Sequence, residues 1–163
     1  MLAKYTDQQV AEVVDWLNRG EFDCMVTLTF CPQGSPIHDD LAEKTLGRLV
    51  SKYMKATRPR KSKRKVVIAP FLERTTLDEP HFHILLRRDS DVETTKKLLR
   101  EIWTKLDSNI CGDPLVHDKK GDKWFKEIAT PHDRRCITEY VTKWCTNLDG
   151  LVLKYTHLGS VGH

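Results

Sequence analysis

Two runs of strand-forming residues, Lys65 to Arg74 and from about His81 to Arg88, flank a five-residue polar turn, Thr75 to Glu79. A connection of five residues permits one arrangement, an antiparallel return. This hairpin is the strongest local constraint in the chain. Pro70 lacks an N–H, which places the first run at a sheet edge or a bulge. In the second run, alternate residues share a face. His81 and His83 therefore stand together, opposite Phe82, Ile84 and Leu86. The apolar set can pack on helices while the imidazoles serve as two ligands for one divalent metal. The plainer alternative is two polar residues on a wet strand face, and a bare His-x-His is too short to decide between them.

The remaining elements follow from capping and periodicity. Thr6 to Arg19 reads as a helix capped by Thr6, with a Val10, Val13, Val14, Leu17 stripe, ended by Gly20. Phe22 to Cys31 reads as a strand, with Val26, Leu28 and Phe30 on one face and Met25, Thr27 and Thr29 on the other. Asp39 or Asp40 starts a helix to about Met54, with Leu41, Thr45, Leu49 and Tyr53 near one face. Ser90 is expected to cap a helix over Asp91 to Leu106. Trp124 to Ala129 is a short strand. Thr130 and Pro131 start a helix to about Asn147, and Leu151 to Leu158 is a last strand. The middle of this order, strand-helix-strand-strand-helix-strand, is the split βαβ, ferredoxin-like pattern. The expected class is α+β, one domain over residues 1–163, with helices on one face of an antiparallel-rich sheet and the other face partly free for a site.

Charge is unevenly placed. Residues 55–65 hold seven basic and no acidic side chains, and the other 152 residues carry 20 basic and 23 acidic ones. Such an arm on a slightly acidic body suggests a polyanion partner, with Arg58, Arg60, Lys61, Lys63, Arg64 and Lys65 as its contacts. A solvated loop is the alternative. Five cysteines without a Cys-x-x-Cys pair read as reduced thiols of a cytosolic protein. No apolar run is long enough to span a membrane, and the first residues lack a signal-peptide core.

A third metal ligand should come from the neighbouring strand. Glu73 ends the first run of the hairpin, eight residues before His81, while Asp78 and Glu79 are rivals within the turn. Two imidazoles and a carboxylate leave open positions on Mg²⁺ or Mn²⁺ for water or a phosphate oxygen. On the 130–147 helix, Cys136, Tyr140, Lys143 and Asn147 form one stripe, next to an apolar stripe of Ile137, Val141, Trp144 and Leu148. Tyr140 and Lys143 then project from the edge of the buried face. A phenol beside an ammonium and a metal suits attack on a phosphodiester. A half-buried tyrosine with a salt-bridging lysine is the structural alternative.

Three segments carry a family resemblance. Val26-Thr-Leu-Thr-Phe30 resembles the first motif of the HUH endonucleases, His81-Phe-His83 the second and Tyr140-Val-Thr-Lys143 the third. Their order is similar to that of the single-tyrosine replication-initiator (Rep) branch, and Glu73 falls where many of its members place a carboxylate ligand. The resemblance implies an HUH/Rep-type fold and metal-dependent, sequence-specific nicking and joining of single-stranded DNA at a replication origin, presented as a strand or hairpin. Tyr140 would form a 5′-phosphotyrosine link and leave a free 3′-OH, initiating rolling-circle replication. Thr27 and Thr29 would face the DNA. No Gly-x-x-x-x-Gly-Lys-Ser/Thr motif is present, so a helicase would act in trans or from a further C-terminal domain. The implied location is the cytoplasm of a bacterial host or of a plasmid- or phage-bearing cell, or the nucleus for a eukaryotic virus. Transposase- or relaxase-like strand transferases share the metal motif, but the insertion-sequence transposases resemble a Tyr-x-x-x-Gln pattern. Two competitors remain: a non-catalytic ferredoxin-like nucleic-acid-binding module, and a metal-dependent hydrolase of other substrates, which leaves the basic arm unexplained.

Overall fold

The computed structural model describes residues 6–31, 34–63, 65–75, 78–117, 123–144 and 151–157, with backbone alone at 143, 144 and 153. In chain order the elements are α1 (Asp7–Asn18), β1 (Cys24–Thr29), α2 (Asp39–Thr57), β2 (Ile68–Arg74), β3 (Pro80–Leu86), α3 (Val92–Leu106), the short α4 (Pro114–His117), β4 (Phe125–Glu127) and α5 (Pro131–Trp144). The strands form one antiparallel sheet in the order β2-β3-β1-β4. That order is the split βαβ arrangement expected from the element sequence. No helix among the described residues is long and apolar enough to cross a membrane. Cys24, Cys31, Cys111 and Cys136 are free thiols; Cys145 lies outside the described residues.

One sheet face is apolar through its centre. Val26, Leu28, Phe82, Ile84 and Leu86 bury against Leu46 and Leu49 of α2 and Leu99 and Trp103 of α3. Each such side chain contributes about 1.5–3 kcal/mol on leaving water. Phe30 anchors the end of the layer, with ring centroids 5.0 Å from Trp103 and 5.7 Å from Phe82.

The opposite face corrects the expectation of helices on one side only. Its first cross-strand rung, Met25–Leu85–Ala69, lies with Phe71 under Leu17 of α1 and Val141 of α5. The run Val66 to Phe71 is apolar at successive positions, which is the mark of a strand covered on both sides. Beyond this apolar half the same face turns polar.

Several boundaries also differ. Helix α2 begins at Asp39 with His38 as N-cap, and it runs to Thr57. Its buried stripe contains Ala42 and Leu46, whereas Leu41 is exposed. Asp91, not Ser90, caps α3, accepting from the Thr94 N–H at 2.9 Å. The last segment is not a strand. It touches β2 through bridges at Leu151 and His157, separated by a 3-10 turn over Leu153–Tyr155. Ile68 exchanges both backbone bonds with His157, but Pro70 can only accept, from Val152 at 2.9 Å. The missing proline N–H interrupts the outer ladder, so β2 keeps an edge character.

The helix that carries Tyr140 is held at its start. The Asp133 N–H donates to Thr130 Oγ1 at 3.1 Å, and the Thr130 N–H donates to the Asp133 carboxylate at 3.0 Å. This reciprocal cap satisfies two donors that would otherwise be orphaned. Arg134 donates to the Phe22 carbonyl at 3.1 Å, tying α5 to the chain entering β1. The expected extension to Asn147 and the position of Leu148 fall outside the described residues.

Candidate metal and nucleophile site

Strand register builds the polar half of the second face. Thr27 pairs with His83, and Thr29 pairs with His81, which pairs in turn with Glu73. Side chains at these rungs project on one side, so three adjacent strands converge. Glu73 Oε2 lies 2.9 Å from His83 Nε2 and 3.1 Å from His81 Nε2, and the two Nε2 atoms are 3.1 Å apart. The turn rivals fall away: Arg74 holds the Asp78 carboxylate at 3.4 Å, and Glu79 is exposed. Among the described residues, Glu73, His81 and His83 alone form a group whose donor atoms could hold a metal ion.

These separations are those of hydrogen bonds among the three side chains, and they are short enough for one ion to take all three donors. Two imidazoles and a carboxylate fit a divalent cation and would leave coordination positions open.

Thr27 supplies an outer contact. Its Oγ1 lies 3.1 Å from His83 Nδ1. With Nδ1–H donating to the hydroxyl, the Nε2 lone pair is left facing Glu73 and His81. His83 is almost fully buried, and burial, then the neighbouring His81, holds its basicity below the ordinary range against the pull of Glu73. A neutral imidazole is the form a metal takes.

Tyr140 stands over this triad. Its ring centroid is 5.7 Å from that of His83, at an interplanar angle of 77°. It is 44% exposed, while Val141 beside it is buried, as expected for a residue at the rim of a packed face. Burial, then the negative charge of Glu73, pushes the phenol pKa up. Formation of a phenolate there needs a positive charge nearby. The Lys143 side chain, expected to provide one, lies outside the described residues.

The basic arm sits elsewhere. Arg58 pairs with Asp89 at 3.3 Å, and its side chain is 12% exposed. Arg60, Lys61, Lys63 and Lys65 are exposed, and Arg64 lies outside the described residues. The arm enters the sheet at Ile68, five residues from Glu73 along β2, about 17 Å at strand rise. It therefore meets the sheet at the end away from the triad.

Sequence reasoning missed one part. A cleft of about 300 Å³ opens beside the triad between β1, β4 and Tyr140, lined by Thr27, Thr29, Lys123 and Lys126 among others. Lys126 pairs with Met25 in the β1–β4 ladder, which places it on the site face. Alternation in the 124–129 strand could have flagged it, but only once the pairing with β1 was known. Comparison with family models, curated proteins and solved structures returns no match.

Proposed function

We propose that the chain nicks and rejoins single-stranded DNA, with Tyr140 as nucleophile beside a divalent cation held by Glu73, His81 and His83. The observation that carries this reading is the Tyr140 ring 5.7 Å from His83, within a triad whose donor atoms lie 2.9–3.1 Å apart. Mg²⁺ or Mn²⁺ suits the mixed nitrogen and oxygen donors. Glu73, His81 and His83 would hold such an ion, which would supply Lewis-acid polarisation of a phosphodiester oxygen and would offset the Glu73 charge that opposes phenolate.

The chain's own residues do the rest. Tyr140 presents its hydroxyl from a helix capped and anchored at its start, which limits its approach to the triad. The phenol oxygen bonds to phosphorus, the P–O3′ bond breaks, the 3′ oxygen takes up a proton, and the phenol's proton passes to solvent. The product is a 5′-phosphotyrosine and a free 3′-OH, and the reverse reaction rejoins the strand. Initiation of rolling-circle replication at an origin is the role that fits the single tyrosine and its Lys143 neighbour. The non-catalytic module is less favoured. Proteins of that kind stack bases on strand aromatics, whereas the open half of this face presents Thr27, Thr29, His81 and His83.

The test is an end-labelled single-stranded oligonucleotide library incubated with Mn²⁺ and resolved on a denaturing gel. The expected result is a protein–DNA adduct that is lost in Tyr140→Phe while DNA binding persists. An adduct of undiminished yield in that variant overturns the assignment.

A further inference from the structure

The lysine-lined cleft beside the triad has no role in the chemistry above. Among the described residues its lining contains no carboxylate. Many of the chain's other cations are neutralised by close partners, as in Arg74–Asp39, Arg88–Asp23 and Arg100–Asp113. Lys123 and Lys126 have no such partner among the described residues. Two ammonium groups without a carboxylate partner among the described residues, on a cleft whose described lining holds no carboxylate, make an anion site. Its floor is also informative. Thr27 and Thr29 offer hydroxyls, and Trp124 is 4% exposed, too deeply packed to serve as a stacking platform for a base. The cleft therefore recognises phosphate and sugar rather than base identity. A volume of about 300 Å³ holds one nucleotide-sized group, not a duplex. Thr27, Thr29, His83 and Tyr140 border both the cleft and the triad, so an anion here is contiguous with one at the metal.

We infer that this cleft is the subsite for the nucleotide adjacent to the scissile phosphate, with Lys126 and Lys123 gripping its neighbouring phosphodiester. The assignment rests on the nuclease reading for the identity of the polymer, but the anion site can be tested without cleavage. Contacts of this kind position a strand and do not specify its sequence. Losing Lys126 should weaken every strand alike and lower the log-log salt slope by about one.

The probe is thymidine 3′,5′-bisphosphate, a single nucleotide with two phosphates, titrated calorimetrically into the full chain with Mn²⁺. Lys126→Gln should weaken binding roughly fivefold, the effect of an accessible ion pair worth about 1 kcal/mol, and Lys123→Gln should add to it. Lys126→Arg should retain affinity, because charge and reach are kept. Affinity for Mn²⁺ alone should not fall in any of the three variants, which separates this site from the triad. Lys97→Gln, on α3, should bind the bisphosphate as the wild type does. If Lys126→Gln and the Lys123/Lys126 double variant bind it as tightly as the wild type, the subsite is wrong, even where Tyr140 forms its DNA adduct. Binding that depends on Lys126, in a chain that forms no adduct with any strand, would support the subsite and overturn the nuclease reading.

Discussion

Removing the Thr27 hydroxyl should disarm the triad without touching a metal ligand. Thr27 Oγ1 lies 3.1 Å from His83 Nδ1, and His83 is 6% exposed, so solvent cannot replace the contact. In Thr27→Val the side chain keeps its β-branched shape and its place in β1, but Nδ1 faces a methyl group. The imidazole can leave a buried N–H unsatisfied, which costs about 1–3 kcal/mol. Its other choice is to move the proton to Nε2, where it would donate to Glu73, now 2.9 Å away, and block the lone pair a metal needs. Either route penalises the loaded state. At 1.36 kcal/mol per tenfold, the loss is roughly 5- to 150-fold in affinity, which brackets the 10–100-fold common for outer contacts of metal-binding histidines. Calorimetric titration with Mn²⁺ measures it, and ¹⁵N imidazole shifts of the metal-free protein report the tautomer. Thr27→Ser keeps the hydroxyl and should stay within about threefold of wild type. If Thr27→Val binds Mn²⁺ with unchanged affinity and His83 keeps its Nδ1–H tautomer, the orienting role is refuted.

Mn²⁺ at 100 times its dissociation constant should stabilise the fold by about 2.7 kcal/mol. At ~2–4 °C per kcal/mol for a chain of this size, differential scanning fluorimetry should show a rise of roughly 5–10 °C, reversed by EDTA and absent in His81→Ala or His83→Ala. Glu73→Ala should shrink the shift, and a full shift in Glu73→Ala paired with none in Glu79→Ala would mean that the wrong carboxylate was chosen. For the exposed arm, replacing Arg60, Lys61, Lys63 and Arg64 with Ser should flatten the salt dependence of single-strand binding by up to about 3 in log-log slope, while cleavage at saturating DNA changes little; an unchanged slope removes the arm from the DNA path. Thr130→Ala should cost about 1 kcal/mol, read as a lower thermal midpoint and reduced adduct formation as α5 loosens. Hydrogen bonds from the Thr130 side chain, then its backbone, hold the Asp133 carboxyl below the usual range. Its contribution is therefore complete above the unfolded carboxylate pKa of ~4 and fades as pH drops through the depressed folded value. A cap variant whose acid-unfolding midpoint equals that of wild type would contradict this.

Local pattern alone settled a good part of the site. A five-residue connection forces Glu73 back towards His81, and strand alternation obliges His81 and His83 to share a face. Helical spacing placed Tyr140 at the rim of a buried stripe, next to Val141. These relations depend on neighbours within about ten residues, where backbone geometry leaves few choices. The tertiary structure decided what remained. Whether α1 and α5 cover the second face depends on burying Met25, Leu85 and Phe71, three segments that local rules treat separately. Arg58 reads as one cation among seven until the fold brings Asp89 within 3.3 Å. Lys126 reads as an ordinary strand lysine until β4 pairs with β1 beside the triad. The segment after Leu151 has strand-like composition, yet Pro70, about eighty residues earlier, denies it a continuous partner. In each case the deciding contact joins residues far apart in the chain, and only burial and hydrogen-bond satisfaction across the whole fold select it.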